Sequence, residues 1–217
     1  MTRALLIAGD EWRFGQTIGT MSEFLAKGPS IDDVTELRCI EYLAIGVTAA
    51  ILKEIAREPE RPLLIVYSGH GFNGGWAPTR DSRLGYPELC RLITMRTAPT
   101  LLVNACCYPA AIFSPLEMAG ASSDRVAVIA AGPADKVTYE GLVERVIESW
   151  RSGKIYEPKR GYHPVNAPRL LRFVWRLRSG FRWRGGIIEP WNVLEEVRWG
   201  NDAIDRVFIG KDRAAGP

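Results

Sequence analysis

The sequence predicts an α/β protein built on a mostly parallel sheet. Two observations carry this. Uncharged apolar runs, each long enough for one fully buried strand, recur along the chain, most clearly Leu63 to Gly71 (LLIVYSGHG) and Thr100 to Cys107 (TLLVNACC). Between such runs lie stretches with apolar residues on one helical face, and strand, helix, strand in alternation is the pattern of a parallel sheet with crossover helices.

The elements follow in order. Arg3 to Gly9 (RALLIAG) reads as the first buried strand, and the polar stretch after it closes as a helix at Phe24-Leu25-Ala26-Lys27-Gly28, with glycine where a helix stops. Val34 to Ile40 is the second strand. Glu41 to Arg57 keeps its apolar residues on one face and ends before Pro59, so it is the helix leading into the Leu63 strand. Pro87 to Met95 is a short crossover helix. Arg125 to Ala131 (RVAVIAA) is a fifth strand and Val137 to Trp150 the helix after it.

The Leu63 and Thr100 runs end in reactive side chains, His70 and Cys106. If the two are neighbouring parallel strands, both side chains emerge at the carboxyl edge of the sheet, where open α/β proteins build their sites. A thiol beside an imidazole there is a nucleophile beside its base. Adjacent strand residues point to opposite faces, so only one of Cys106 and Cys107 can face His70.

Ser68-Gly69-His70-Gly71, followed by a strand ending in cysteine, resembles the caspase and metacaspase superfamily of cysteine proteases. The flank Asn104-Ala105-Cys106-Cys107-Tyr108 departs from the family pattern, and 36 positions separate His70 from Cys106, against about 50 in caspases. The segment Ala131-Gly132-Pro133-Ala134-Asp135-Lys136 also resembles the stretch that lines the family's substrate cleft. The resemblance implies a caspase-like three-layer sandwich, with a six-stranded, mostly parallel sheet flanked by helices. It implies a cysteine endopeptidase in which Cys106, rather than Cys107, attacks the scissile carbonyl and His70 handles the proton. By the same resemblance, the amides of Gly71 and Cys106 form the oxyanion hole. Ser68 and Asn104 belong to the substrate site; Arg13 would supply a basic pocket, and Asp135 or Glu23 an acidic one, with a basic substrate residue favoured. The connection Ala111 to Asp124 is short and poor in carboxylates, so neither calcium nor self-cleavage is expected.

Composition sets the outer bounds. With 217 residues, 47% hydrophobic and 24% charged, the chain is read as a single domain over 1–217, with a core over 1–152 and an extension over 153–217. No run approaches membrane length, and the initial apolar run is too short for a secretion signal, so a cytoplasmic protein is expected. Four cysteines without paired spacing and two histidines argue against a metal site, and no cofactor is implied. A net charge of +3 does not point to nucleic acid.

The extension begins as a proline-rich loop. Asn166 then reads as an N-cap, and Pro168 to Arg178 as a helix with Leu170, Leu171, Val174 and Trp175 inward and Arg169, Arg172 and Arg176 outward. With Phe181-Arg182-Trp183-Arg184 it forms an Arg169–Arg184 tract, read as a docking surface for a protein partner or activator, with nucleic-acid binding as the rival reading. Val207 to Gly210 is expected to be the sixth strand. The partner implied by the resemblance is a protein substrate, cut in a cell-death or defence pathway. The competing reading from another class is a pseudoenzyme of the same fold, acting as an adaptor or sensor.

Overall fold

The computed structural model describes residues 2–27, 31–39, 46–121, 125–131, 134–135, 142–144, 146–147, 182–183 and 186–187. Five parallel strands form its centre: β1 (Thr2–Gly9), β2 (Ile31–Arg38), β3 (Leu63–Phe72), β6 (Thr100–Ala105) and β7 (Val126–Ala130), in the order β2-β1-β3-β6-β7. Two short strands, β4 (Gly75–Ala77) and β5 (Leu84–Gly85), lie between β3 and β6 in sequence; β4 pairs antiparallel with the last three residues of β3, and β5 with β4. The expected sixth strand at Val207 to Gly210, and the helix at Pro168 to Arg178, fall outside the described residues.

Helices cover both faces of the sheet. On one face α1 (Glu11–Ala26) presents Phe14, Ile18, Met21 and Leu25, spaced three or four residues apart. They pack on Ala4, Leu6 and Ala8 of β1, Leu64 and Val66 of β3, and Leu101 and Val103 of β6. Residues 142–144 and 146–147 are helical, as the sequence predicts for that stretch, and supply Leu142, Val143, Val146 and Ile147 to the same core.

The opposite face carries α2 (Val47–Ala56), α3 (Tyr86–Met95) and α4 (Phe113–Met118). Ile51, Ile55, Leu89 and Ile93 from these helices meet Leu5, Ile7, Leu63, Ile65 and Leu102 from the sheet. Strands covered on both sides have no polar face, which is why their sequences are continuous apolar runs. At roughly 25 cal/mol per Å² of apolar surface, this two-sided burial is the main term holding the layers together.

Two buried arginines tie the amino edge. Arg96, 1% exposed, donates to the carbonyls of Ile55, Arg57, Glu58 and Arg61 at 2.5–3.0 Å and so satisfies the end of α2 and the turn after it. Burial, with Arg3 nearby, lowers its pKa to about 10. Arg3, with no exposed surface, pairs with Glu54 at 2.9 Å and Asp33 at 3.4 Å.

Candidate functional site

The register of the central strands determines what meets at the carboxyl edge. Gly9 of β1 pairs with Gly69 of β3, and Ser68 of β3 with Ala105 of β6. His70 therefore stands beside Asp10 on one side and beside the residues that follow β6 on the other. It is not the last strand residue, as the sequence implied. β3 runs on through Gly71 and Phe72, which pair with Trp76 and Gly75 of β4 in a hairpin.

The Tyr67-Ser68-Gly69-His70-Gly71 segment is shaped by its two glycines. The Tyr67 hydroxyl donates to the His70 carbonyl at 2.6 Å, three residues further along the same strand. A β-carbon at Gly69 would lie 2.6 Å from that hydroxyl, and one at Gly9 2.5 Å from it, so glycine on both strands leaves room for the tyrosine. A β-carbon at Gly71 would clash with the Cys107 carbonyl and sit 3.0 Å from the Cys106 Sγ. The space kept by Gly71 is thus occupied by the Cys107 carbonyl and the Cys106 side chain.

His70 is held from two directions. Its Nε2 lies 3.5 Å from the Asp10 carboxylate, and the Phe14 ring meets it edge-on at 5.3 Å. The side chain remains 46% exposed. Arg13, expected in a loop, is instead in the first turn of α1, with its guanidinium 5.6 Å from the Phe14 ring centre. Glu23 lies twelve residues beyond Glu11, the first residue of α1, about 18 Å along the helix and remote from the edge where His70 stands. Asp135 is in an exposed turn after β7.

Cys106 lies on the other face of the sheet. The thiol contacts the Asn104 Oδ1 at 3.3 Å and the Tyr86 hydroxyl at 3.5 Å, and only 3% of the residue is exposed. Burial pushes its pKa up to about 12, against a weaker opposing effect of the Tyr86 hydrogen bond. Paired residues of parallel strands share a face, and Val66 pairs with Val103. His70 therefore shares the α1 face with Val103 and Ala105, while Asn104 and Cys106 face α3. Cys107 follows, half-buried.

Asn104 is fully buried and saturated. Its Oδ1 accepts from Trp76 Nε1 at 2.8 Å and from the Cys106 thiol, while its Nδ2 donates to the Tyr86 hydroxyl at 3.1 Å and the Pro109 carbonyl at 2.8 Å. An indole N–H only donates and a carbonyl only accepts, so these partners impose the amide's orientation. Trp76 in turn stacks on Tyr67 at 4.2 Å, the rings 12° from parallel. Asn104 thereby clips the end of β6 to the β4 hairpin, to α3 and to the turn after Cys106. Asn104 has no exposed surface and Ser68 is 4% exposed.

Sequence reasoning missed Asp10, Trp76 and Tyr86. Asp10 had a usable signal: it follows Gly9 as His70 follows Gly69, at the same edge of adjacent strands. Trp76 and Tyr86 had none, since they lie in a three-residue strand and at a helix start and are joined to Asn104 only by the fold.

Among the described residues no cluster of three or more His, Cys, Asp or Glu could hold a metal ion, and no helix is long and apolar enough to cross a membrane. Compared with protein-family models the chain matches none, and it has no significant match among curated proteins.

Proposed function

We propose that this chain is a cysteine endopeptidase of the caspase and metacaspase type, with His70 as the base and Cys106 as the nucleophile. The observation that carries the reading is the junction of the two motifs: β3 and β6 are hydrogen-bonded parallel neighbours, and at their carboxyl ends the Cys106 Sγ comes to 3.0 Å from where a β-carbon at Gly71 would stand, one residue along β3 from His70 and on the opposite face of the sheet. Separately, a His flanked by glycines and a Cys after a strand are common features. Together on adjacent strands they are the elements of nucleophilic acyl transfer.

The resting thiol is protonated and turned to Asn104 on the face away from His70, so on this reading it must leave Asn104 and Tyr86 and swing round the end of β6 to the His70 side to react. His70 then takes the thiol proton as sulfur bonds to the scissile carbonyl carbon, and returns it to the leaving amine. Water cleaves the thioester and releases the acid, restoring the thiol. The substrate would be a protein or an extended peptide, approaching from the exposed side of His70.

The buried, hydrogen-bonded thiol equally favours a second reading, a pseudoenzyme of the same fold acting as adaptor or sensor. Incubation with a peptidyl electrophile, followed by mass mapping, separates the two. An adduct on Cys106 that His70→Ala suppresses supports the peptidase. An adduct on Cys107 alone moves the nucleophile by one residue, and no adduct at either thiol supports the pseudoenzyme.

A further inference from the structure

We propose that Asp10 is the positioning residue of His70: its carboxylate holds the Nε2 edge of the imidazole and leaves Nδ1 as the nitrogen available to a reacting group. The proposal deepens the reading of His70 as a base, and rests on it.

Three observations converge. The first is register. Because Gly9 pairs with Gly69, Asp10 and His70 leave adjacent parallel strands at the same level, strands that run about 4.8 Å apart. The carboxylate and the imidazole thus arrive side by side through the sheet itself, without a flexible loop.

The second is what Asp10 does not do. It occupies the N-cap position of α1, where an aspartate side chain ordinarily accepts a hydrogen bond from the first turn, yet its carboxylate makes no such bond. Its backbone carbonyl accepts from Arg13 and Phe14 at 3.1 and 2.8 Å, so the turn is closed by the main chain. The side chain is directed to the imidazole instead, with Oδ2 3.5 Å from Nε2.

The third is the enclosure of the ring. Phe14 stands edge-on to it at 5.3 Å, and Tyr67 fixes the His70 carbonyl at 2.6 Å. With Asp10 at Nε2, the nitrogen that remains for chemistry is Nδ1. On this proposal the Nε2 proton faces the Asp10 carboxylate, so the imidazole meets a reacting thiol or water with its Nδ1 lone pair. The tautomer and the ring angle are both selected by one residue from the neighbouring strand.

Histidine-labelled protein tests this by two-bond proton–nitrogen NMR of the neutral imidazoles. The chain has two histidines, so a His163→Gln variant assigns the His70 signals. The wild type is expected to carry its proton on Nε2, with slow exchange to water. Asp10→Ser is the decisive variant, because serine is as good an N-cap as aspartate and preserves any purely structural role. It should speed Nε2 proton exchange several-fold and mix the two tautomers, while leaving thermal unfolding unchanged. Asp10→Asn, which retains the shape, should also speed the exchange. A proton on Nδ1 in the wild type, or Nε2 exchange unaltered in both variants, overturns the proposal. Peptide hydrolysis provides a separate arm: loss of the carboxylate should lower kcat about 10- to 100-fold with KM little changed. A wild type that is inactive but shows the expected NMR behaviour would sink the peptidase reading and leave the positioning role of Asp10 standing.

Discussion

The Cys106 thiol and the Asn104 carboxamide oxygen, two residues apart on one face of β6, meet at 3.3 Å inside the core formed with α3. The contact links the candidate nucleophile to a fully bonded amide. Releasing the thiol and keeping the fold are therefore tied to the same side chain, and this tie generates the first prediction.

Asn104→Ala should destabilise the protein by about 3 kcal/mol, because it orphans the buried Trp76 indole N–H and Pro109 carbonyl together. It should also speed alkylation of Cys106 by a small neutral reagent. Urea unfolding and mass-resolved alkylation check the two effects. An unchanged urea midpoint would show that Asn104 is no clip.

Alkaline pH should weaken the fold. Cys39, Cys90 and Cys106 are each pushed up to about 12 by burial from an ordinary thiol value of 9.0. Between those values the unfolded chain releases protons that the folded one retains, so stability is full below pH about 9 and declines as pH rises towards about 12. Urea midpoints from pH 8 to 10.5 should fall. Cys90→Ala should make the decline shallower, and an unaltered slope would remove that thiol from the account.

Gly71→Ala should cost about 1–3 kcal/mol, since its methyl would overlap the Cys107 carbonyl and crowd the Cys106 sulfur. Gly19→Ala in α1 provides the contrast. Its β-carbon would find only the Arg38 guanidinium at 3.9 Å, so the better helix former should add roughly 0.5–1 kcal/mol. Thermal unfolding of both variants should shift in opposite directions.

Arg96→Lys should destabilise by about 2–3 kcal/mol although the charge is kept, because an ammonium cannot reproduce a planar fork serving four carbonyls. Denaturant titration measures this. A loss below about 0.5 kcal/mol would assign the α2 terminus to other partners.

The central parallel strands β3 and β6 were legible because each is buried on both faces, which forces a run without charge, whereas the edge strand β2 (IDDVTELR) is only partly buried and carries four charged residues. Helix α1 was legible from the glycine that closes it at Gly28, α2 from its one apolar face and the proline after it, and α3 as the crossover that two parallel strands require. The hairpin of β4 and β5 was hidden, since strands of three and two residues in a glycine-rich stretch have too few positions to show alternation.

From its sequence alone this chain determined an α/β sandwich with His70 and Cys106 at the ends of successive central strands, because burial and crossover helices leave those runs no other use. Tertiary structure decided which side chains meet there. Pairing Val66 with Val103 puts His70 on the α1 face with Asp10 and Phe14, and sends Asn104 and Cys106 to Tyr86 and Trp76 on the other face. In a sheet of period two, a register different by one residue would exchange the two thiols. That choice is made by the packing of both layers together and is written in neither strand.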